Sequence, residues 1–438
     1  MKTLMVFKAV IFILLPAFLL LLSSCNKDDT IMGTPQVEDV NGFLCDVNGD
    51  PIGNVNIELL RYQGFDVTKT LLDGSFHFSK VLFPYTINIT GNNDNSLQST
   101  AYVFNGLTII NPTIKLKSIE QSNLHRNSII HLKTPDTINI SSKKYAVVAY
   151  DSTGTIMNRQ DVPLMYDGNI YVYWSGGQET MNANIFLIAY YSGYERNYFD
   201  RYAERQITVI NGEQSNIVLD SSEFKIVDEV REVKFYYPPR WNYHTSGFGF
   251  TFNNLLANNL KGVYTTAISN QQYASVFYPF INNKKLYYFF DIEVSSTDYS
   301  YYHLSNLIIP VSGINLYLSS KPLPALFEPS DNAININYKT SFKISDDDKS
   351  GMYVFDLKCY NPFYDVKLYT KNISFNYPFF HDTNFVLRKN ATYLWNVLKY
   401  FNVKSVDEFI SNNNIGNLTP SEYCGIAYKY FNTGDTLK

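Results

Sequence analysis

Short runs in which apolar and polar residues alternate recur along the whole chain, set apart by Gly, Asn, Asp, Ser and Pro. Val55-Asn56-Ile57-Glu58-Leu59, Tyr85-Thr86-Ile87-Asn88-Ile89 and Pro112-Thr113-Ile114-Lys115-Leu116 are clear cases. A period of two puts every second side chain on one face, so each run predicts a strand with one face packed. Tyr145–Tyr150, Ile170–Trp174, Ile185–Tyr190, Ile207–Ile210, Val233–Tyr236 and Leu286–Phe290 read as further strands, several of them continuous apolar runs. Turn residues stand between them: Asn48-Gly49-Asp50-Pro51, Asp151-Ser152-Thr153-Gly154 and Asn211-Gly212. Asp73-Gly74, directly ahead of Ser75–Phe78, is the strongest short-range hairpin signal in the chain. One segment departs from the pattern. Ser405–Ile410 predicts a short helix with Ser405 as N-cap and Glu408 three positions on. No repeat of fixed period is visible, which disfavours a propeller or solenoid.

The expected fold is therefore mostly β, a tandem of β-sandwich modules. A tether over 25–38 leads to a sandwich over 39–118 and a second over 119–220. A β-rich, Tyr-rich region follows over 221–321. After the stiff Lys321-Pro322-Leu323-Pro324 joint comes a last sandwich over 322–438, carrying the helix. Composition sharpens this picture. Aromatic residues make up 16% of 438, with 36 Tyr and 31 Phe, and such side chains suit a half-buried pleated surface. With 45% hydrophobic and only 17% charged residues, the chain has ample material for packed cores and lacks the signature of disorder. The net charge is −4 and there is no sizeable basic run, so nucleic acid is not an expected partner.

The N-terminus points to a location. Lys2 and Lys8 precede an apolar run from Ala9 to Leu22, broken by Pro16. The run is shorter than the ~20 helical residues that span a bilayer core, and reads as a secretory signal over 1–24. Leu22-Ser23-Ser24-Cys25 resembles the lipobox of bacterial lipoproteins, which implies that Cys25 carries acyl chains and begins the mature protein. Asn26-Lys27-Asp28-Asp29 is similar to the export signal of surface-exposed lipoproteins of the Bacteroidetes type, with Lys27, Asp28 and Asp29 as its residues. Together these imply a protein anchored by lipid in the outer membrane and facing outward. Cys45, Cys359 and Cys424 remain, an odd number. Cys359 and Cys424 could pair, although a buried free Cys is the commoner outcome.

Two further resemblances concern the modules. Gly42-x-Leu44-x-Asp46, Gly49-x-Pro51-Ile52, Val55-x-Ile57 and Asp73-Gly74-x-Phe76-x-Phe78 follow in the order of the carboxypeptidase regulatory-like domain. That family is a transthyretin-like sandwich without peptidase activity, so the resemblance implies a stalk or docking unit. Pro329-x-Asp331-x-Ala333, Phe342-x-Ile344, Tyr353-x-Phe355-x-Leu357 and Tyr393-x-Trp395-x-Val397 resemble fibronectin type III-like modules, which implies a core position for Trp395.

Chemistry is sparse. There is no G-x-S-x-G, phosphate-binding Gly-rich loop or H-E-x-x-H, so no catalytic residue is expected. His125 and His131 are not at metal-ligand spacing on a helix. Asp46-x-Asn48-x-Asp50 lacks the acidic residue a calcium loop places at its twelfth position and reads as a turn. Asp346-Asp347-Asp348 reads as a solvated, mutually repelling tip. Neither metal nor cofactor is implied. The suggestive feature is aromatic: Tyr236–His244 and Asp298–His303 are too polar and interrupted for ordinary buried strands. Tyr and Trp offer rigid contact area with a polar tip, suited to sugar faces and peptide surfaces. Tyr237, Trp241, Tyr243, Tyr301 and Tyr302 are the expected ligand-binding residues, and Trp241 and Tyr243 should then be partly exposed. The reading that follows is a non-catalytic surface protein binding glycan or protein. The alternative is a structural or accessory spacer in an outer-membrane complex.

Overall fold

The computed structural model describes residues 36–46, 49–92, 99–116, 126–135, 144–151, 156–163, 166–174, 178–192, 197–239, 241, 243–252, 263–268, 273–282, 286–297, 300–308, 314–318, 323–411, 421–425 and 428–437. Cys25, Lys27, Asp28 and Asp29 lie outside them.

The first sandwich contains β1 (Val37–Asp46), β2 (Asn56–Arg61), β3 (Gly64–Lys69), β4 (Ser75–Leu82), β5 (Tyr85–Asn92), β6 (Ser99–Leu107) and β7 (Thr113–Leu116). One sheet runs β4-β1-β7, with β4 antiparallel and β7 parallel to β1; the other runs β3-β2-β5-β6. Alternation does what the sequence predicts. Ile57, Leu59, Ile87 and Ile89 point inward from one sheet and meet Val40, Leu44, Phe76 and Phe78 from the other. Asp73-Gly74 does form a turn into β4, with the Gly74 amide bonded to the Leu71 carbonyl at 2.9 Å and Gly74 at φ +81. It is not a hairpin turn: β3 pairs with β2, while β4 crosses to the opposite sheet beside β1. A Cβ on Gly74 would lie 2.5 Å from the Leu44 carbonyl, so the crossing leaves no room for a side chain there.

The second sandwich repeats this topology. Its strands are β8 (Arg126–Lys133), β9 (Lys144–Asp151), β10 (Ile156–Pro163), β11 (Asp167–Trp174), β12 (Thr180–Ser192), β13 (Asn197–Ile210), β14 (Gln214–Val218) and the short β15 (Lys225–Ile226). They order as β11-β8-β14 over β10-β9-β12-β13-β15. The third does so again with β16 (Glu229–Tyr236), β17 (Tyr243–Phe252), β18 (Val263–Ile268), β19 (Tyr273–Phe280), β20 (Leu286–Ser295), β21 (Tyr301–Ile308) and β22 (Ile314–Tyr317), as β19-β16-β22 over β18-β17-β20-β21. In all three the first strand lies between the fourth, antiparallel, and the seventh, parallel. The repetition is one of topology. The units begin at Val37, Arg126 and Glu229, unequal spacings that leave no fixed period in the sequence.

The last sandwich differs. β23 (Ala325–Glu328), β24 (Ala333–Ile336), β25 (Ser341–Ser345), β26 (Met352–Tyr360), β27 (Phe363–Thr370), β28 (Ser374–Asn376) and β29 (Thr392–Tyr400) precede helix α1 (Val406–Ser411), β30 (Ser421–Gly425) and β31 (Lys429–Thr433). Sheet β23-β25-β28 faces β27-β26-β29, and β29 continues into both β30 and β31. Trp395 sits fully buried between the sheets, edge-on to Phe342 at 5.4 Å. Helix α1 starts as expected, the Glu408 amide donating to Ser405 Oγ at 3.0 Å.

The sandwiches are joined by shared sheets. β27 pairs parallel with β6 of the first sandwich, and β30 pairs with β21 of the third. The first and last sandwiches also share a core, in which Met352, Val354, Tyr369, Phe409 and Ile410 pack with Ile87, Ile89 and Phe104. Tyr369 stacks on Phe104 at 4.8 Å.

Cys45, Cys359 and Cys424 are all buried, and none of them is in a disulfide. Cys359 stands opposite Tyr393 and Cys424 opposite Lys399, on either side of β29 and six residues apart along it. At about 3.3 Å per residue that is ~20 Å, beyond the Cα separation of a disulfide. The expected option of a Cys359–Cys424 bridge is therefore excluded.

Candidate functional site

The structure relocates the aromatic surface. Trp241 is 2% exposed and lies in a core with Tyr237 and Tyr302, themselves buried. The cause is a turn: the Trp241 amide donates to the Pro238 carbonyl at 3.2 Å, and the Pro-Pro corner directs the indole inward, 6.3 Å from the Tyr302 ring. A side chain in that position cannot stack on a ligand, so Trp241, Tyr237 and Tyr302 are core residues. Tyr301 is half-buried and edge-on to Tyr423 at 6.3 Å, and burial pushes its phenol well above the usual range. Tyr243 contributes backbone to β17; its side chain lies outside the described residues.

Three other tyrosines come together on the outer face of sheet β19-β16-β22. Tyr236 is the register partner of Tyr273 on one side and Tyr317 on the other, which puts one ring on each strand in a single row. Tyr236 stacks on Tyr317 with centroids 4.9 Å apart and planes 16° apart, and lies 5.7 Å from Tyr273. Val233 and Phe235 alternate inward on β16, as do Ala274, Val276 and Tyr278 on β19, so these rings point to solvent. Tyr317 ends the row on the edge strand and is 72% exposed. The next row carries Ser275, Lys234 and Asn315. The Lys234 ammonium lies 5.5 Å from the Tyr273 ring and 3.7 Å from Glu232, so donors and acceptors border the rings.

The equivalent sheet of the second sandwich, β11-β8-β14, is built alike. Ile170, Val172 and Trp174 point inward on β11, leaving Tyr171 and Tyr173 outward at 49% and 52% exposure. Beside them, His131 contacts Asn169 Oδ1 at 3.0 Å and Asp167 Oδ1 at 2.9 Å, and Asn216 and Gln214 extend the polar margin on β14. The sequence signal for both faces was the alternation itself: a Tyr one step out of phase with the buried residues of its strand faces water.

The acidic segments resolve differently from each other. Asp46 Oδ1 accepts the Asp50 amide at 2.9 Å, closing the turn. Asp346, by contrast, is buried. Its Oδ2 lies 2.6 Å from Lys399 Nζ, and both side chains are fully inaccessible. The expectation of a solvated, repelling tip is thus wrong at Asp346, because a distant lysine neutralises it. Among the described residues no group of three His, Cys, Asp or Glu side chains is placed to hold a metal ion.

No family model and no curated protein matches the chain. Among solved structures, the Bacillus anthracis TIE protein overlaps 64% of this chain and 49% of its own at 11% identity and TM-score 0.17, so the chain spans about half of that protein's length. The minor pilin GBS52 of Streptococcus agalactiae overlaps 42% of this chain and 94% of its own at 11% identity and TM-score 0.17. The fimbrial anchor protein Mfa2 of Porphyromonas gingivalis overlaps 38% and 77% at 8% identity and TM-score 0.16. TM-scores this low do not establish a shared overall fold.

Proposed function

We propose that the protein is a non-catalytic binding and adhesion protein of the outer-membrane surface. In this reading it is anchored by lipid at Cys25 and takes glycan or protein ligands on its tyrosine-bearing sheet faces. The observation that carries the reading is the Tyr273–Tyr236–Tyr317 row. Tyr317 holds most of its ring in water at the edge of a sheet whose other face already supplies the core, so folding alone gives no reason for an aromatic there. An exposed ring bordered by Lys234, Glu232, Ser275 and Asn315 offers the apolar contact and hydrogen bonds that a sugar or peptide surface requires. The first sandwich fits a carboxypeptidase regulatory-like stalk through its strand order. The sheet order of the last fits a fibronectin type III-like module.

The test is binding of the purified soluble part to a glycan array and to surface-protein extracts, with Tyr317→Ala alongside. Tyr317→Ala is expected to weaken binding at least about tenfold while leaving the fold intact. Absence of any wild-type binding at about 100 µM, weaker than about −5.5 kcal/mol, rejects the reading. Anchoring has its own test: Cys25→Ala should abolish palmitate labelling and release the protein from the membrane. Replacing Lys27, Asp28 and Asp29 by Ala should leave it lipidated but shielded from external protease.

The alternative, a spacer or accessory subunit, is favoured by one feature. Pairing of β6 with β27 fixes the first sandwich to the last through a ladder and a common core, as a rigid strut requires.

A further inference from the structure

Lys399 and Asp346 are the most deeply buried ionisable pair among the described residues, and nothing in a binding role accounts for them. Lys399 lies on β29 and Asp346 follows β25, so the contact bridges the two sheets of the last sandwich. Nζ is 2.6 Å from Asp346 Oδ2, and neither side chain has any solvent-accessible surface. The same Oδ2 accepts the Tyr353 hydroxyl at 2.6 Å, while Oδ1 accepts the Asp348 amide at 3.1 Å. Lys399 Nζ also donates to the Asp348 carbonyl and lies 3.7 Å from Asp348 Oδ2. Phe401 and Tyr353 wall the ammonium at 5.1 and 6.0 Å.

Two opposite charges held this dry carry a desolvation cost that their attraction offsets only in part. Converting them to a neutral amide removes both charges. We propose that Lys399 Nζ and Asp346 Cγ condense into an isopeptide cross-link with loss of one water. The surroundings supply each requirement. Contact at hydrogen-bond distance in a fixed site replaces a bimolecular encounter, an effect reaching 10⁵–10⁸ M in effective concentration for about 3–3.5 Å approaches. Proton transfer from Nζ to Oδ2 yields a neutral amine and a neutral acid. The amine attacks Cγ, and the charge developing on Oδ1 meets the Asp348 N–H already aimed at it. A second proton leaves nitrogen to the Asp348 carboxylate, Tyr353 passes its proton to Oδ2, which departs as water, and the proton held by Asp348 returns to the phenolate. The balance is closed: an ammonium and a carboxylate become one N–H amide and one water, with no oxidant or cofactor.

The experiment is peptide mapping of the full-length protein by mass spectrometry after denaturation and trypsin. If the link forms, trypsin cannot cut after Lys399, and peptide Ile344–Lys349 appears joined to Asn390–Lys404, one water lighter than their sum. Recovery of free Ile344–Lys349 together with Asn390–Lys399 overturns the proposal and leaves an ion pair. Lys399→Met should abolish the joined species. Because that variant removes half of a buried pair and could unfold the sandwich, Tyr353→Phe serves as the second probe. It keeps the ring and the pair but removes the proton donor, so linkage after synthesis should slow roughly a hundredfold. Unchanged linkage kinetics in Tyr353→Phe would overturn the assigned role of its hydroxyl.

Discussion

Glu58 of the first sandwich accepts the backbone amide of Asp382, in the last, at 2.9 Å across 324 residues of chain. Its other oxygen takes the His381 amide and Asn88 Nδ2, each at 3.1 Å, and Glu58 and Asn88 are buried. Hydrogen bonds to a charged acceptor contribute about 1.5–3 kcal/mol, and an orphaned buried donor costs a further 1–3. Glu58→Ala is therefore expected to lower stability by at least about 3 kcal/mol. Glu58→Gln should be intermediate, since its amide nitrogen would face donors. Calorimetry distinguishes the two, and an unchanged melting temperature in Glu58→Ala would show that the clamp between first and last sandwiches contributes nothing.

Trp241 and Tyr317 should behave as opposites. Trp241→Ala opens a cavity in a core shared by the second and third sandwiches, at about 3–5 kcal/mol. Tyr317→Ala removes a ring from water and from one stacking contact, so its cost should stay below about 1.5 kcal/mol. Urea unfolding of the two variants measures the contrast directly.

Stability should respond to pH through Asp365. Burial first, and the neighbouring Asp356 carboxylate second, push its carboxyl up to about 6, while Lys358 and Lys367 oppose the rise. Its Oδ1 is buried without a hydrogen-bond partner. The fold favours the protonated acid, so the associated stability is complete below about pH 4 and lost as pH rises through about 6. Asp365→Asn, permanently neutral, should gain up to about 2–3 kcal/mol over wild type at pH 7 and almost nothing at pH 4. Melting temperatures at the two pH values provide the check.

Thiol chemistry should be silent in the native state. Burial pushes the Cys45 thiol up to about 11 and raises that of Cys359, and Cys424 is fully enclosed. A thiolate-selective reagent should label none of the three until the protein is denatured, and then all three. Two missing thiols after denaturation without reductant would reveal a disulfide that the strand geometry forbids.

Part of this architecture was legible in the alternation of apolar residues, because strands such as β4 and β11 bury one face, whereas β9, β26 and β29 bury both. Ile57/Leu59 and Ile87/Ile89 occupy the core that alternation assigns them, and Trp395 the core position that the resemblance to fibronectin type III-like modules implies. The ligand surface was misread where polarity was taken for exposure. Pro238, Pro239 and Arg240 make the neighbourhood of Trp241 look wet, yet a tight turn folds the indole inward, and turn geometry is not a property of composition. Tyr236 was visible as the residue out of phase with Val233 and Phe235. Its partners Tyr273 and Tyr317 come from strands far along the chain and meet it only through the sheet order. The same non-locality hid Lys399 from Asp346, and Cys359 from its true distance to Cys424.

The parallel ladder between β6 and β27 also sets a timetable. Chains are synthesised from the N-terminus, so the first sandwich can close while its neighbour on β6, which begins at Phe363, is still unsynthesised. Until that segment arrives, β6 presents a bare edge whose Ala101 and Val103 belong to a core that does not yet exist. Exposed strand edges with apolar side chains invite pairing with other chains. Contacts of such sequence separation also slow folding, because the intervening loop must close before they form. The last quarter of the polypeptide thus acts as an intramolecular cap for the first, and truncations upstream of β27 should yield aggregates rather than a shorter soluble protein.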